Sequence, residues 1–214
     1  TLMGYKYKTN HEYFDKIDNE YKAYFLGLLY ADGCVTQPKG NRQLKLHISL
    51  QEEDGYILQK FSSEIIDREV VIANPPALQK MGWKKRATVT VISNRLCNKL
   101  ISYGCKINKS RVGMDFPELK ENLIPHFIRG FLDGDGSIII KKLNYKYKRK
   151  TLKPRESRHI QQYKLKIAFC STDKLFLDTI IKYLPVKKTY IASRLRKQLV
   201  YTLWIENSED VQNC

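Results

Sequence analysis

Two kinds of hydrophobic pattern alternate along the chain. Residues 43–50 and 162–169 alternate strictly between apolar and polar positions, which predicts strands with one buried and one polar side. Apolar residues at helical spacing predict helices over 53–66, 94–103 and 173–184. Shorter apolar runs, at 70–72, 88–92, 137–142, 190–191 and 199–205, complete a set of antiparallel hairpins. Helices and hairpins therefore follow each other in a regular order.

One stretch of nine residues occurs twice. It reads FLGLLYADG at residues 25–33 and IRGFLDGDG at residues 128–136, so the offset between its acids is 135 − 32 = 103 residues. Each copy is predicted to be an amphipathic or buried helix that ends near an acid and a glycine, with Gly33 in the left-handed position. Pro125 suits the first turn of the second helix.

The strands that follow these helices are repeated as well. Leu46 corresponds to Leu165, an offset of 165 − 46 = 119 residues, so the second half carries 119 − 103 = 16 extra residues. An αββαββα unit thus occurs twice, which indicates domain duplication. We predict an α+β fold of two pseudosymmetric halves, residues 1–112 and 113–214, each with an antiparallel sheet, and with the two repeated helices packed together at the centre.

Small residues recur on one face of each repeated helix. Gly27 and Ala31 are four residues apart, as are Gly130 and Gly134, and residues at this spacing share a helix face. A glycine inside a helix costs about 0.5–1 kcal/mol relative to alanine. We therefore predict that these four residues form a close helix–helix interface.

The acids at the helix ends indicate a site. Asp32 and Asp135 oppose the helix dipole, at a cost of about 0.3–1 kcal/mol each, and close packing of the helices would also bring the two carboxylates together. A pair of carboxylates suits Mg²⁺, which keeps several waters and can support phosphodiester hydrolysis. Asp133 is an additional acid in the second copy, and we expect it to support the site or cap the helix.

The charge of the chain points to an anionic partner. Its 214 residues include 38 Lys and Arg against 22 Asp and Glu, a net charge of +16. This excess favours nucleic acid, with a membrane surface as the other candidate. No apolar run approaches the ~20 residues of a spanning helix, and no secretory leader is recognisable. We therefore expect an intracellular protein, in the cytoplasm or nucleoid of a microbe or in an organelle.

Cysteine and histidine give no sign of a site. The five cysteines are widely spaced without a Cys-x-x-Cys pair, and the four histidines are scattered. This argues against a disulfide framework, a zinc site and a histidine-centred nuclease.

Taken together, the two motifs and the repeat resemble the LAGLIDADG family, and the chain looks like a single-chain LAGLIDADG homing endonuclease. The resemblance implies two saddle-forming, four-stranded sheets that bind the major groove of a long double-stranded DNA site, with both strands cut by a monomer. It also implies that the last acid of each motif binds divalent metal, Mg²⁺ with Mn²⁺ able to substitute. The predicted metal site is Asp32 and Asp135 with the following Gly33 and Gly136.

Further catalytic residues follow from the same resemblance. The family often has Gln or Lys beyond the second strand and a basic residue near the metal-bound waters. Gln51 fits the first role and Lys109 the second. The partner of Gln51 at the 119-residue offset is Cys170, and the partner of Lys109 would lie beyond Cys214, so the two halves differ in these roles.

A DNA-facing surface is predicted from polar strand positions and basic loops. Polar side chains at every second position can read base edges, while loop cations bind phosphates. The predicted set is Gln43, Lys45, His47, Ser49, Lys84, Lys85, Arg86, Lys142, Lys146, Lys148, Gln162, Lys164, Lys166, Arg194, Arg196 and Lys197. Residues 141–159, with nine Lys or Arg and one Glu, are either a hairpin arm or a basic loop; we favour a loop that becomes ordered on DNA.

Two other functions share this scaffold. An RNA maturase that assists intron folding could retain both acids, so intron RNA is a possible second partner. A DNA-binding regulator would have no need of the acids, which disfavours it.

Overall fold

The structure, a computed structural model, describes residues 8–73, 84–147, 158–206 and 208–212. These form two compact units, Thr1–Asp135 and Gly136–Cys214. The helices are α1 Glu20–Ala31, α2 Gly55–Ile65, α3 Asn94–Tyr103, α4 Lys109–Val112, α5 Ile124–Asp135, α6 Lys174–Tyr183 and α7 Ser208–Gln212. The strands are β1 Cys34–Thr36, β2 Lys45–Gln51, β3 Val71–Ala73, β4 Arg86–Ile92, β5 Gly136–Tyr147, β6 Arg158–Ser171, β7 Thr189–Leu195 and β8 Leu199–Ile205.

The order of elements confirms the predicted duplication. Each copy runs helix, hairpin, helix, hairpin, helix, with the short α4 added between copies. The two sheets also share one topology, since the strand orders β1-β2-β4-β3 and β5-β6-β8-β7 are equivalent. The compact units divide after α5, because α5 packs against α1. The repeat boundary at residues 112–113 stays a prediction.

In the first unit, the alternating pattern of β2 places Leu46, Ile48 and Leu50 on the buried side of the sheet. They pack with apolar residues of α2 and α3, including Phe61 and Leu96. Helix α1 is buried on nearly all sides between residues 25 and 30, as expected for a helix that is apolar all round. The first unit is therefore organised around α1.

The ends of α1 differ from the sequence expectation. The Asn19 side chain caps its first turn by accepting from the backbone N–H of Lys22 at 3.0 Å. Gly33 is not in the left-handed region; the helix ends at Asp32 in ordinary right-handed geometry. A Cβ on Gly33 would lie 2.5 Å from the Leu29 carbonyl oxygen, so lack of space requires the glycine. Gly104, by contrast, ends α3 in the left-handed region, with φ +113°.

In the second unit, the 16-residue insertion lengthens the first hairpin. Strands β5 and β6 stay paired from Gly136 opposite Phe169 to Tyr147 opposite Arg158. The described part of residues 141–159 is thus a hairpin arm, and the loop that we favoured is wrong there. Residues 148–157 lie outside the described part of the chain.

Candidate active site

Helices α1 and α5 cross with their backbones in contact. A Cβ on Gly27 would overlap the Phe127 carbonyl oxygen and lie 2.8 Å from the Phe131 nitrogen. A Cβ on Gly130 would overlap the Tyr24 carbonyl oxygen. Since only glycine leaves room for such an approach, these two positions set the distance between the helices.

The contacts also give the direction of the two helices. Position 27 faces residues 127 and 131, while Gly134 faces Ala31 and Asp32. The helices therefore run parallel, and their C-terminal ends meet. A Cβ on Gly134 would lie against that of Ala31, so all four predicted small residues lie in this crossing.

The two acids meet at this end of the helix pair. Asp32 follows the last residue of α1, and Asp135 is the last residue of α5. The Asp32 Oδ2 atom would lie 2.9 Å from a Cβ on Gly134, the residue before Asp135. The sequence repeat thus becomes a pair of neighbouring carboxylates.

Lys109 contacts the same C-terminal end of α1. Its largely buried ammonium group donates to the last carbonyl groups of α1, those of Leu29 at 3.2 Å, Tyr30 at 2.5 Å and Ala31 at 2.5 Å. These carbonyls carry the negative end of the helix dipole. Lys109 therefore offsets the unfavourable charge that Asp32 adds there.

Burial and charge together set the pKa values of this group. Burial raises the pKa of Asp135 to about 6; the Lys109 charge opposes the rise, and the Asp32 charge adds to it. Burial likewise raises the pKa of Asp32, against the Lys109 and Arg86 charges. Burial lowers the pKa of Lys109. The site therefore holds two acids that are harder to ionise than usual.

These residues fit a divalent metal ion. Two neighbouring carboxylates of raised pKa gain from a cation between them, and Mg²⁺ needs few protein ligands because it retains waters. Within the described ranges, no group of three or more His, Cys, Asp or Glu side chains could hold a metal ion. Asp32 and Asp135 are the neighbouring carboxylates that would hold one here, and this role stays a prediction.

The other residues predicted for the site are Gln51, Gly33 and Gly136. Gln51 is the exposed last residue of β2, opposite Arg86 of β4. Gly33 donates its backbone N–H to the Leu29 carbonyl at 3.0 Å. Gly136 begins β5 opposite Phe169 in the second unit. Their catalytic or metal-binding roles stay predictions.

Sequence reasoning missed two charged neighbours of Asp32. Arg86, predicted as a phosphate contact, lowers the pKa of Asp32, and Asp54 raises it. Arg86 is held by Ser49, whose hydroxyl and carbonyl oxygens accept from it at 2.8 and 2.5 Å. The strand pairing of residue 86 with residue 51 would have been the only signal, and it requires the register of β4.

The two flanks of the helix crossing have diverged. Positions 24 and 133 correspond, through the 103-residue offset, to positions 127 and 30. On one flank the Tyr24 hydroxyl donates to Asp133 at 2.8 Å, at the surface. On the other, Tyr30 and Phe127 are buried with their rings edge to face and 5.0 Å apart. Asp133 thus links α5 to α1 through this hydrogen bond.

The polar face of the first sheet matches its prediction in part. Lys45, His47 and Ser49 lie on one side of β2, where His47 contacts Thr90 at 3.1 Å. Gln43 lies before the strand, in an irregular segment where its backbone N–H donates to the Asn41 side chain at 2.9 Å. The prediction that residue 43 lies in the strand was wrong, because β2 begins at Lys45.

The basic residues before β4 have acidic partners. Lys84 pairs with Glu53 at 2.9 Å and Lys85 with Glu52 at 3.8 Å. All four side chains are exposed, and such pairs contribute little to stability. These lysines can therefore exchange their carboxylates for phosphates.

On the second sheet, cross-strand register sorts the predicted residues by face. Gln162, Lys164 and Lys166 alternate along β6, and Lys141 lies opposite Lys164. Lys142 falls on the other side of β5, which is also the side of the exposed Ile138 and Ile140. Lys142 therefore does not share a side of the sheet with Lys164 and Lys166, because side chains alternate along a strand; its contact with DNA stays a prediction.

The remaining basic residues lie at the two ends of this sheet. Lys146 is in β5 opposite His159, and Lys148 is outside the described residues. Arg194 is near the end of β7, and Arg196 and Lys197 form the exposed turn before β8. This turn therefore presents exposed cations, as a phosphate contact requires.

The fold and the paired acidic helix ends agree with the resemblance to the LAGLIDADG family. Residues 128–213 match the family model described as LAGLIDADG endonuclease. The fold match extends over nearly the whole chain, and the resemblance inferred from the sequence is confirmed.

Three solved structures illustrate this similarity. The I-LtrWI LAGLIDADG homing endonuclease bound to target DNA is 14% identical, with a TM-score of 0.54 over 95% of this chain and 82% of that one. I-AabMI bound to uncleaved DNA is 14% identical, with a TM-score of 0.53 over 91% and 81%. I-DmoI in complex with DNA and Mn is 18% identical, with a TM-score of 0.53 over 90% and 93%.

No curated protein sequence matches the chain significantly. Among the helices of residues 8–73, 84–147, 158–206 and 208–212, none is both long and apolar enough to cross a membrane.

Proposed function

We propose that this chain is a monomeric, site-specific DNA endonuclease that cuts both strands of a long, asymmetric duplex and requires a divalent metal ion. The observation that carries the proposal is the meeting of Asp32 and Asp135 at the parallel ends of α1 and α5. The family match and the DNA-bound state of the similar structures support DNA as the substrate.

The site residues divide the work among them. Asp32 and Asp135 hold Mg²⁺, with Mn²⁺ as a substitute, as the complex of I-DmoI with DNA and Mn suggests. The metal, when bound, supplies Lewis-acid activation of water and of the phosphodiester. Lys109 favours the ionised form of both carboxylates, because its charge opposes the rise in their pKa values that burial causes. Arg86 adds a second positive charge beside Asp32.

The two sheets provide the binding surface in this proposal. Lys45, His47 and Ser49 in one unit, and Gln162, Lys164 and Lys166 in the other, read base edges in the major groove. The exposed cations near residues 84–86 and 194–197 bind phosphates, which gives affinity without sequence information. The different side chains of the two sheets suit a target whose halves differ.

The proposal is tested by cleavage of a selected target. Duplexes bound by the chain are enriched from a random DNA library, and the enriched DNA is then incubated with enzyme and Mg²⁺ or Mn²⁺. We expect double-strand cutting that EDTA abolishes and that Asp32→Asn or Asp135→Asn reduces by about 10³-fold or more. Asp178→Asn, an exposed acid paired with Lys174 at 2.9 Å, is the control and retains activity.

Three results would count against this function. Cutting that survives both substitutions refutes the site, while cutting of only one strand refutes the two-strand mechanism. Tight binding of intron RNA without any DNA cleavage favours the maturase instead.

A further inference from the structure

Three side chains on the polar face of the second sheet meet at one carboxylate. Glu206 accepts from Lys164 at 3.2 Å, from Lys166 at 2.5 Å and from the Tyr190 hydroxyl at 2.7 Å. The donors come from β6 and β7, and Glu206 directly follows β8. We refer to these four residues as the Glu206 cluster. It joins three strands of the sheet through side chains alone.

The cluster is more enclosed than the other ion pairs of this unit. The exposed fractions are 17% for the Lys166 side chain, 22% for Glu206 and 36% for Lys164. By comparison, the pair Lys187–Glu209 has exposed fractions of 73% and 65%. Lys166 also lies 5.7 Å from the centre of the Trp204 ring, a favourable position for a cation. Lys166 is thus held both by Glu206 and by the Trp204 ring.

The hydrogen bonds keep Glu206 ionised. Those from Lys166, Tyr190 and Lys164 lower its pKa to about 2. Two lysines and one glutamate leave a net charge of about +1 on the cluster at neutral pH. The carboxylate therefore cancels about half of the positive charge that the lysines would otherwise offer to a phosphate.

The first unit has no such carboxylate at the corresponding position. Ile48 and Ile167 correspond through the 119-residue offset, and they pair with Val89 and Ile205. Glu206 therefore corresponds to Thr90, a neutral residue that contacts His47 at 3.1 Å. Because the carboxylate is confined to one of two equivalent sheets, a general need of the fold does not explain it.

What Glu206 does to the lysines follows from their chemistry. A free lysine side chain is a flexible, strongly hydrated point charge that binds phosphates wherever they are within reach. A lysine held by a carboxylate has fewer orientations, and its remaining N–H groups point in set directions. Fixed donors can bind the O6 and N7 acceptors of guanine, whereas mobile ones bind the backbone.

We propose that Glu206 is a specificity-determining residue of the second sheet, which restrains Lys164 and Lys166 as base-reading donors and keeps them from binding phosphates indiscriminately. This inference rests on the proposed DNA-binding function of the sheet. In this role Glu206 contacts two lysines that bind DNA but does not itself bind a phosphate.

The test compares Glu206→Gln with Glu209→Gln in the full chain. Glutamine is close in shape to glutamate but neutral, so it weakens the restraint on both lysines. Glu209 lies in the same unit, pairs with Lys187 at 3.2 Å and is exposed, so its substitution makes the same change in net charge away from the cluster. Thermal unfolding of both variants verifies that each is folded.

Two quantities are measured for each variant. The first is affinity for a random-sequence duplex over a range of salt concentrations. For Glu206→Gln we expect tighter binding and a salt slope steeper by about 1–2, since each new phosphate contact adds about 0.9. The second is the base preference in selected DNA, where we expect about tenfold weaker discrimination at a few positions of one half-site. Glu209→Gln should change neither the slope by this amount nor the preference.

The outcomes separate this inference from the function on which it rests. If Glu206→Gln selects the same sequence as the unmodified chain with equal discrimination, Glu206 does not determine specificity, while DNA binding stands. If both variants change alike, only net charge matters and the inference is wrong. If the unmodified chain binds no duplex, both the proposed function and the inference are overturned.

Discussion

Gly27 and Gly130 occupy equivalent places in the central helix pair, each against the backbone of the other helix. A Cβ on Gly27 would lie 2.9 Å from the carbonyl carbon of Phe127, and a Cβ on Gly130 would lie 2.9 Å from that of Tyr24. These contacts are with backbone, which cannot rotate away as a side chain can. The close approach brings Asp32 and Asp135 together, so the packing of the helices and the geometry of the proposed site depend on the same two residues.

Replacement of either glycine should therefore be costly. We expect Gly27→Ala or Gly130→Ala to lower the free energy of unfolding by about 3 kcal/mol, at the upper end for overpacked sites. Urea unfolding measures the change. Gly55→Ala is the matched control, because its Cβ would meet only the Ala87 methyl group, at 3.2 Å; we expect a change of about 1 kcal/mol or less. Equal losses at all three positions would contradict the proposed crossing.

Lys109 should control the ionisation of both acids. Its charge lowers the pKa values of Asp32 and Asp135, so Lys109→Met should raise both in the metal-free protein. NMR titration of the carboxyl carbons in EDTA measures the shift. Lys106→Met is the control, because Lys106 pairs with Asp115 at 2.9 Å. Unchanged titration of Asp135 in Lys109→Met would show that the two groups do not interact.

Asp135 should reduce stability at neutral pH in the metal-free protein. Its pKa is about 6 in the folded chain against an ordinary value of 3.8. The folded state therefore binds more protons between these values, and stability falls as the pH rises through this window. Asp135→Asn should stabilise the chain by about 1 kcal/mol above pH 6, a figure reduced for solvent screening because the carboxylate is partly exposed.

Urea unfolding in EDTA at about pH 4.5 and about pH 7.5 tests this expectation. The advantage of Asp135→Asn should be fully present at the higher pH and clearly smaller at the lower one, which lies near the bottom of this window. Asp178→Asn serves as the control, because Asp178 is an exposed acid next to Lys174. An advantage of equal size at both pH values would mean that the effect has another origin.

The fold followed from the sequence to a large extent because its signals are local and occur twice. Strict alternation in β2 and β6 and the glycines of α1 and α5 each report their own surroundings. The repeat then indicated that the two helices pair. The two acids of the candidate site could be predicted for the same reason, since each opposes the helix dipole at the same position of its motif.

The remaining contacts depend on register and distance. The place of Arg86 beside Asp32 requires the pairing of β4 with β2, and no local pattern gives it. Glu206 lies just beyond a strand end, so its contact with Lys164 and Lys166 follows only once β8 pairs with β6. The side of the sheet on which Lys142 lies follows only from the register of β5 with β6. Gly33 was assigned to a left-handed turn although crowding against Leu29 explains it.

The unequal flanks of the helix crossing bear on self-association. In a pair formed by two copies of α5, Asp133 of each would lie where Tyr30 now contacts Phe127, so a carboxylate would be pressed against an apolar ring. In a pair formed by two copies of α1, a second tyrosine at position 24 would take the place of Phe127, and its hydroxyl group would need a partner in the core. Both self-pairings thus place a polar group in the apolar flank, and the pairing of α1 with α5 avoids this.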